Sequence, residues 1–96
     1  MRTIESIREQ ITPICKKYGV KSVRLFGSYA RGEAHERSDI DFFVELGNVR
    51  DLFTLSAFRL DLIDALQMEV DIVTKLPDSP EFQRELARDE VLVYAA

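Results

Sequence analysis

The sequence contains one cysteine, Cys15, and no long run of apolar residues. A single cysteine cannot form a disulfide within the chain, so the sequence predicts a protein of a reducing compartment, the cytoplasm. No stretch approaches the ~18 apolar residues that a membrane span requires. The residues after Met1 are not the apolar core of a signal peptide. Neither a membrane protein nor a secreted disulfide scaffold is expected.

The chain also lacks an excess of basic residues. It has 13 Lys and Arg against 17 Asp and Glu, a net charge of −4. Nucleic-acid-binding proteins usually show the opposite balance, so a nucleic-acid partner is not expected. The 96 residues suffice for one domain, residues 1–96, and 46% of them are hydrophobic, which is typical of a globular protein. This length leaves no room for two independent cores.

Hydrophobic periodicity divides the chain into alternating helices and strands. The first helix is predicted from Ile4 to Tyr18, with Thr3 as its N-cap, Gly19 as its stop and a kink or restart at Pro13. Further strands are predicted at 20–26, 40–46 and 69–74, and further helices at 51–67 and 81–88. Residues 91–94 fit either a strand or a helix end. This order predicts an α/β (α+β) fold, a small mixed sheet with helices mainly on one face.

The helix at 51–67 carries many apolar residues. Its buried face is predicted to comprise Leu52, Phe53, Ser56, Ala57, Leu60, Ile63 and Leu66. An exposed apolar patch on this helix would indicate a partner surface.

Two carboxylates lie on one face of the strand at 40–46. Because side chains alternate along a strand, Asp39 and Asp41 point the same way, opposite to the apolar Ile40 and Phe42. Neighbouring carboxylates raise one another's pKa, and a divalent cation such as Mg²⁺ removes the conflict. The alternative is a solvated strand face.

A third carboxylate, Asp71, lies between β-branched residues in the strand at 69–74. Aspartate is disfavoured inside such a strand. If this strand neighbours the one that carries Asp39 and Asp41, the three carboxylates converge and can hold two Mg²⁺ ions for phosphoryl chemistry. The alternative is an edge-strand aspartate that faces water.

A candidate phosphate-binding turn, Gly27-Ser28, follows the strand at 20–26. Glycine lets a phosphate approach the backbone, and the Ser28 hydroxyl can donate to a phosphate oxygen. Arg31 lies about one turn further on and can also reach a phosphate. The alternatives are a plain turn with Ser28 as N-cap, and an Arg31 that pairs with a nearby acid.

Together these motifs read Gly-Ser, ten residues, Asp-x-Asp, and a later strand Asp. The combination resembles the nucleotidyltransferase superfamily of DNA polymerase beta, and within it the minimal nucleotidyltransferases. The resemblance implies the nucleotidyltransferase fold and a metal site in which Asp39 and Asp41 bind Mg²⁺. Asp71 would complete that site and help to activate the attacking hydroxyl, while Gly27 and Ser28 would hold the triphosphate of ATP.

The resemblance also implies a partner. Minimal members commonly occur with a small helical toxin of the HEPN type, so the chain is expected to be an antitoxin that transfers AMP from ATP to a tyrosine of such a ribonuclease. Two alternatives stay open: an antitoxin that neutralises its toxin by binding alone, and a transferase for a small molecule or RNA. A homo- or hetero-oligomer is compatible with each.

Overall fold

The structure is a computed structural model that describes residues 3–34, 38–75 and 78–96. The only histidine, His35, lies outside the described residues. None of the helices in these ranges has the length and apolar character needed to cross a membrane. The elements in chain order are α1 Ile4–Tyr18, β1 Ser22–Phe26, α2 Gly27–Arg31, β2 Ile40–Glu45, α3 Leu52–Leu66, β3 Val70–Val73, α4 Pro80–Asp89 and β4 Val91–Ala95.

α1 begins and ends where the sequence predicts. The Thr3 hydroxyl accepts a hydrogen bond from the Ser6 amide at 3.0 Å, and Gly19 ends the helix in the left-handed conformation with φ 72°. The helix continues through the exposed Pro13, so the predicted restart does not occur. Cys15 is fully buried, and burial raises the pKa of its thiol to about 12, which fits a structural and unreactive cysteine.

The four strands form one mixed sheet in the order β3-β2-β1-β4. β1 pairs antiparallel with β2 and with β4, whereas β2 pairs parallel with β3. Residues 91–94, which the sequence left undecided, belong to edge strand β4. The predicted fold class is therefore confirmed.

The sheet has one buried face and one more open face. Val23 and Leu25 of β1 point to the core together with Phe42 of β2, and α1 and α3 cover this side. Phe26 points the other way, where its ring meets the Phe82 ring of α4 edge-on at 6.3 Å. The open face is thus bounded on one side by α4.

The predicted core face of α3 is largely wrong. Phe58, Leu62 and Leu66 are its buried residues, whereas Phe53 and Leu60 are 90% and 60% exposed. Of the predicted set only Leu66 is fully buried. Apolar and polar residues are both distributed around α3, so hydrophobic periodicity alone cannot select the side that packs on the sheet.

The burial of β1 leads to a stability prediction. Leu25→Ala removes a fully buried side chain from the central strand and is expected to lower the free energy of unfolding by about 2–5 kcal/mol. Leu92→Ala in the neighbouring strand β4 is the matched control, because Leu92 is 47% exposed, and it should cost about 1 kcal/mol or less. Urea unfolding followed by circular dichroism measures both, and equal losses would contradict the assigned core.

Candidate active site

On the open face of the sheet, Asp41 lies between Phe26 and Asp71. The antiparallel register of β1 and β2 places Phe26 opposite Asp41, and the parallel register of β2 and β3 places Asp41 beside Asp71. Asp39 lies two residues before Asp41, immediately before β2 begins, and the carboxylates of Asp39, Asp41 and Asp71 together form the acidic row. The predicted neighbourhood of the strands is therefore present, and it brings Asp39, Asp41 and Asp71 together.

The electrostatics of Asp41 confirm that negative charge accumulates here. Burial, followed by the charges of Asp71 and Asp39, raises the pKa of the Asp41 carboxyl to about 6, and a hydrogen bond with Asp71 acts in the same direction. Arg31 opposes this rise. Asp41 is half-buried, while Asp39 and Asp71 are exposed. At neutral pH the cluster therefore holds charge that lacks full compensation.

The three carboxylates suit a hard cation by their chemistry, since carboxylate oxygens are the ligands that Mg²⁺ prefers. Within residues 3–34, 38–75 and 78–96, no three acidic, histidine or cysteine side chains already surround a common point at which a metal ion would be held. Asp39 and Asp71 are exposed and have room to change rotamer. The fit lies in the donor chemistry and the position on the sheet, and not in a preformed cage.

Gly27 lies directly against Asp41. Its φ is 75°, in the left-handed region that favours glycine, and a Cβ added at this position would overlap the Asp41 carboxylate. The backbone of the turn predicted to bind phosphate therefore lies in contact with the Asp41 carboxylate. A side chain at position 27 would force the Asp41 carboxylate away from this turn.

The short helix α2 starts at Gly27, and its N-cap is Phe26, without a side-chain cap. Ser28 therefore lies inside the first turn, and the alternative in which it serves as N-cap is wrong. Tyr29 is buried, and its hydroxyl donates to the Met68 sulfur at 3.3 Å. This contact anchors α2 to the connection between α3 and β3.

Arg31 pairs with two acids and also lies close to Asp41. Its guanidinium forms ion pairs with Glu33 at 3.2 Å and with Asp89 at 3.9 Å, as the alternative from the sequence anticipated. It also lies close enough to Asp41 to lower the pKa of that carboxyl. Binding of a phosphate by Arg31 would therefore compete with these two acids.

Sequence reasoning missed the contribution of α4 to this region. Beside the acidic row lies a cavity of about 160 Å³. Its lining consists of Phe26, Gly27, Arg31, Phe82, Leu86 and Asp89. The sequence predicts a helix at 81–88 but not its place beside this site, because no local motif links positions 82–89 to the turn at Gly27.

Comparison with known proteins places these features in a family. A family model described as nucleotidyltransferase domain matches residues 7–93. A candidate protein adenylyltransferase of Methanocaldococcus jannaschii is 45% identical over 71 residues, which are 74% of this chain and 76% of the relative.

Two solved structures have the same fold. A candidate minimal nucleotidyltransferase superposes with a TM-score of 0.75 at 33% identity, over 94% of this chain and 95% of that one. An MNT antitoxin structure, a complex with tri-AMPylated HEPN toxin from Shewanella oneidensis, matches with a TM-score of 0.68, covering 98% and 74%. Its identity of 19% shows likeness of fold alone.

The contact between Gly27 and Asp41 can be tested with a matched pair of glycines. Gly27 and Gly32 have φ values of 75° and 72°, but a Cβ at Gly32 would meet nothing within 4 Å. Both changes to alanine should cost about 1–2 kcal/mol for the left-handed backbone. Gly27→Ala should cost about 1–3 kcal/mol more, because the new methyl group displaces the Asp41 carboxylate. Urea unfolding of the two variants measures the difference, and equal losses would disprove the close approach.

Proposed function

The chain belongs to the nucleotidyltransferase domain family, and on this basis we propose that it transfers AMP from ATP to a hydroxyl group of a partner protein. The observation that carries the proposal is the row of Asp39, Asp41 and Asp71 on the open face, directly beside Gly27. The proposed unit is residues 1–96 as one minimal nucleotidyltransferase domain. The cytoplasmic location stays a prediction from the cysteine content.

Gly27 and Ser28 are the proposed triphosphate-binding residues. The absent side chain at position 27 lets the Asp41 carboxylate lie against the backbone, so a phosphate bound at this turn would lie next to the acidic row. Arg31, which already influences Asp41, can exchange its ion pairs with Glu33 and Asp89 for a phosphate oxygen. ATP is proposed as the nucleotide because the Methanocaldococcus jannaschii relative is described as an adenylyltransferase.

Asp39, Asp41 and Asp71 are the proposed ligands of Mg²⁺. When bound, two such ions supply charge neutralisation at the α-phosphate and at the departing pyrophosphate. The raised pKa of Asp41 supports this assignment, since a bound cation relieves the repulsion between the negative charges of Asp39, Asp41 and Asp71.

The transfer step follows from the positions of the acids. The acceptor oxygen forms a bond to the α-phosphorus, the bond between that phosphorus and the α–β bridging oxygen breaks, and pyrophosphate leaves with those electrons. Asp71, which is exposed and lies on the side of Asp41 away from Phe26, receives the proton that the acceptor hydroxyl loses. The backbone at Gly27 would position the α-phosphate region in line, and Asp41 would hold the Mg²⁺ that offsets the negative charge there, so catalysis rests on positioning and charge stabilisation.

A tyrosine of a small helical HEPN-type toxin is the proposed acceptor, with the chain as its antitoxin. The likeness of fold to an MNT antitoxin from a complex with an AMPylated HEPN toxin supports this assignment. The exposure of Asp39 and Asp71 also supports it, because a large acceptor can reach carboxylates on an open face more easily than in a closed pocket. The net charge of −4 favours a protein acceptor over RNA.

Neutralisation by binding alone is the second candidate. The cost of grouping three carboxylates argues against it, because a surface that only binds gains nothing from an aspartate whose pKa is raised to about 6.

Removing the two charges of the proposed metal site tests the transfer reaction. Asp39→Asn combined with Asp41→Asn should lower AMP transfer to the partner by about 10²-fold or more, because charge stabilisation at the α-phosphate is lost. Glu9→Gln is the control, since Glu9 is an exposed acid of α1, on the other side of the sheet. Labelled ATP, Mg²⁺ and a candidate toxin are incubated, and the AMP added to the toxin is measured by mass spectrometry. Full activity of the double variant would refute the mechanism.

Chelation gives an independent prediction about the metal. EDTA should abolish transfer by the unaltered protein, and added Mg²⁺ should restore it, because the acidic row alone repels the triphosphate. The same samples decide between the two functions. If the toxin gains no AMP under any condition and its toxicity is still suppressed, the binding function is correct and the transferase proposal fails.

A further inference from the structure

α3 presents an uncharged stripe to solvent that the proposed reaction does not use. The stripe consists of Leu52, Phe53, Ser56 and Leu60, and the three apolar residues are 79%, 90% and 60% exposed. Their spacing places them along about two turns on one side of the helix. An exposed apolar patch of this kind marks an interaction site.

The two ends of the stripe differ in shape and in charge. At the first end Phe53 projects into solvent, with the exposed Arg50 just before the helix. The exposed Asp51 between them is engaged as the N-cap, where it accepts hydrogen bonds from the Thr54 amide and hydroxyl at 2.8 Å, so the cation at this end is Arg50. At the second end lies a shallow depression, which is lined by Leu60, Ile63, Asp64, Gln67, Met68 and Glu69. Glu69 already forms an ion pair with Arg59 at 3.6 Å, so the charge argument rests on Asp64. A projecting ring beside a cation thus stands at one end, and a depression beside an acid at the other.

These two ends complement each other in a second copy of the chain. In an antiparallel pair of α3 helices that cross at Ser56 and Ala57, Phe53 of one copy lies over the depression at Leu60 of the other. The same crossing brings Arg50 opposite Asp64, because positions 50 and 64 have nearly the same midpoint along the chain as positions 53 and 60. The small side chains at the crossing allow the two backbones to approach closely. A two-fold axis repeats every contact, as an isologous interface requires.

The helix termini favour the same arrangement. The last turn of α3 contains no basic residue, although it carries Asp64. A negative charge near the C-terminus of a helix is unfavourable, whereas a cation there is favourable. Arg50 of a second copy would supply that cation at each end of the pair.

We propose that α3 forms a homodimer interface through this stripe, with Phe53 in the depression of the second copy and Arg50 paired with its Asp64. α3 covers the core face of the sheet, whereas Asp41 lies on the open face. The dimer therefore leaves both acidic rows accessible. A different protein as occupant of the stripe is an outcome that the test distinguishes.

Analytical ultracentrifugation over a range of protein concentrations tests the proposal. The unaltered chain is expected to show a monomer–dimer equilibrium. Phe53→Asp should raise the dissociation constant by about tenfold or more, since it removes the ring and faces Asp64 with a like charge, and tenfold corresponds to about 1.4 kcal/mol. Leu92→Asp, at an exposed leucine of β4, is the control and should leave the equilibrium unchanged. Circular dichroism verifies that each variant is folded.

A charge exchange keeps the test specific to this interface. Arg50→Asp and Asp64→Arg should each weaken the dimer, because each faces like charges across the axis, and the combined variant should restore it. A chain that stays monomeric up to about 1 mM, the weak end of specific association, would overturn the proposal. So would a dimer that the combined variant fails to restore. If the chain is monomeric alone and Phe53→Asp abolishes binding of a toxin, the stripe belongs to that partner and the homodimer is refuted.

Discussion

The parallel pairing of β2 with β3 places Asp41 next to Asp71, and the rest of the site depends on this juxtaposition. Two carboxylates side by side on a sheet repel each other, and the structure supports them only because core packing fixes both strands. The side chains that alternate with the acids, Phe42 and Val70, are fully buried. Folding energy gained on one face of the sheet therefore holds together charges on the other face that would separate if they were free.

The alternation of buried and acidic side chains also fixes the register of β2. A shift of one residue in β2 would turn Asp41 into the core and Phe42 to solvent, so burial and charge both oppose it. Gly27 depends on this register as well, since it is accommodated beside Asp41 only in this pairing. The core, the acidic row and the Gly27 turn are thus positioned by one set of strand contacts.

The elements that the sequence predicted well are those in which one physical preference dominates. Asp39 and Asp41 were located by strand alternation, and α1 by its capping residues and a single apolar face. The face of α3 could not be predicted, since apolar residues surround it and tertiary packing alone selects Phe58 over Phe53. The position of Ser28 also escaped prediction, because it depends on α2 beginning one residue earlier, at Gly27. The link between α4 and Arg31 is a long-range contact that no local pattern records.

The hydrogen bond from Tyr29 to Met68 has a mechanical consequence. Tyr29 belongs to the helix that follows the Gly27 turn, and Met68 lies two residues before β3, the strand that carries Asp71. The bond thus connects the helix that follows the Gly27 turn with the segment that leads into the Asp71 strand. Because Tyr29 is buried, this bond couples the two segments through the interior, so a displacement of one segment would be passed to the other without involving the three carboxylates.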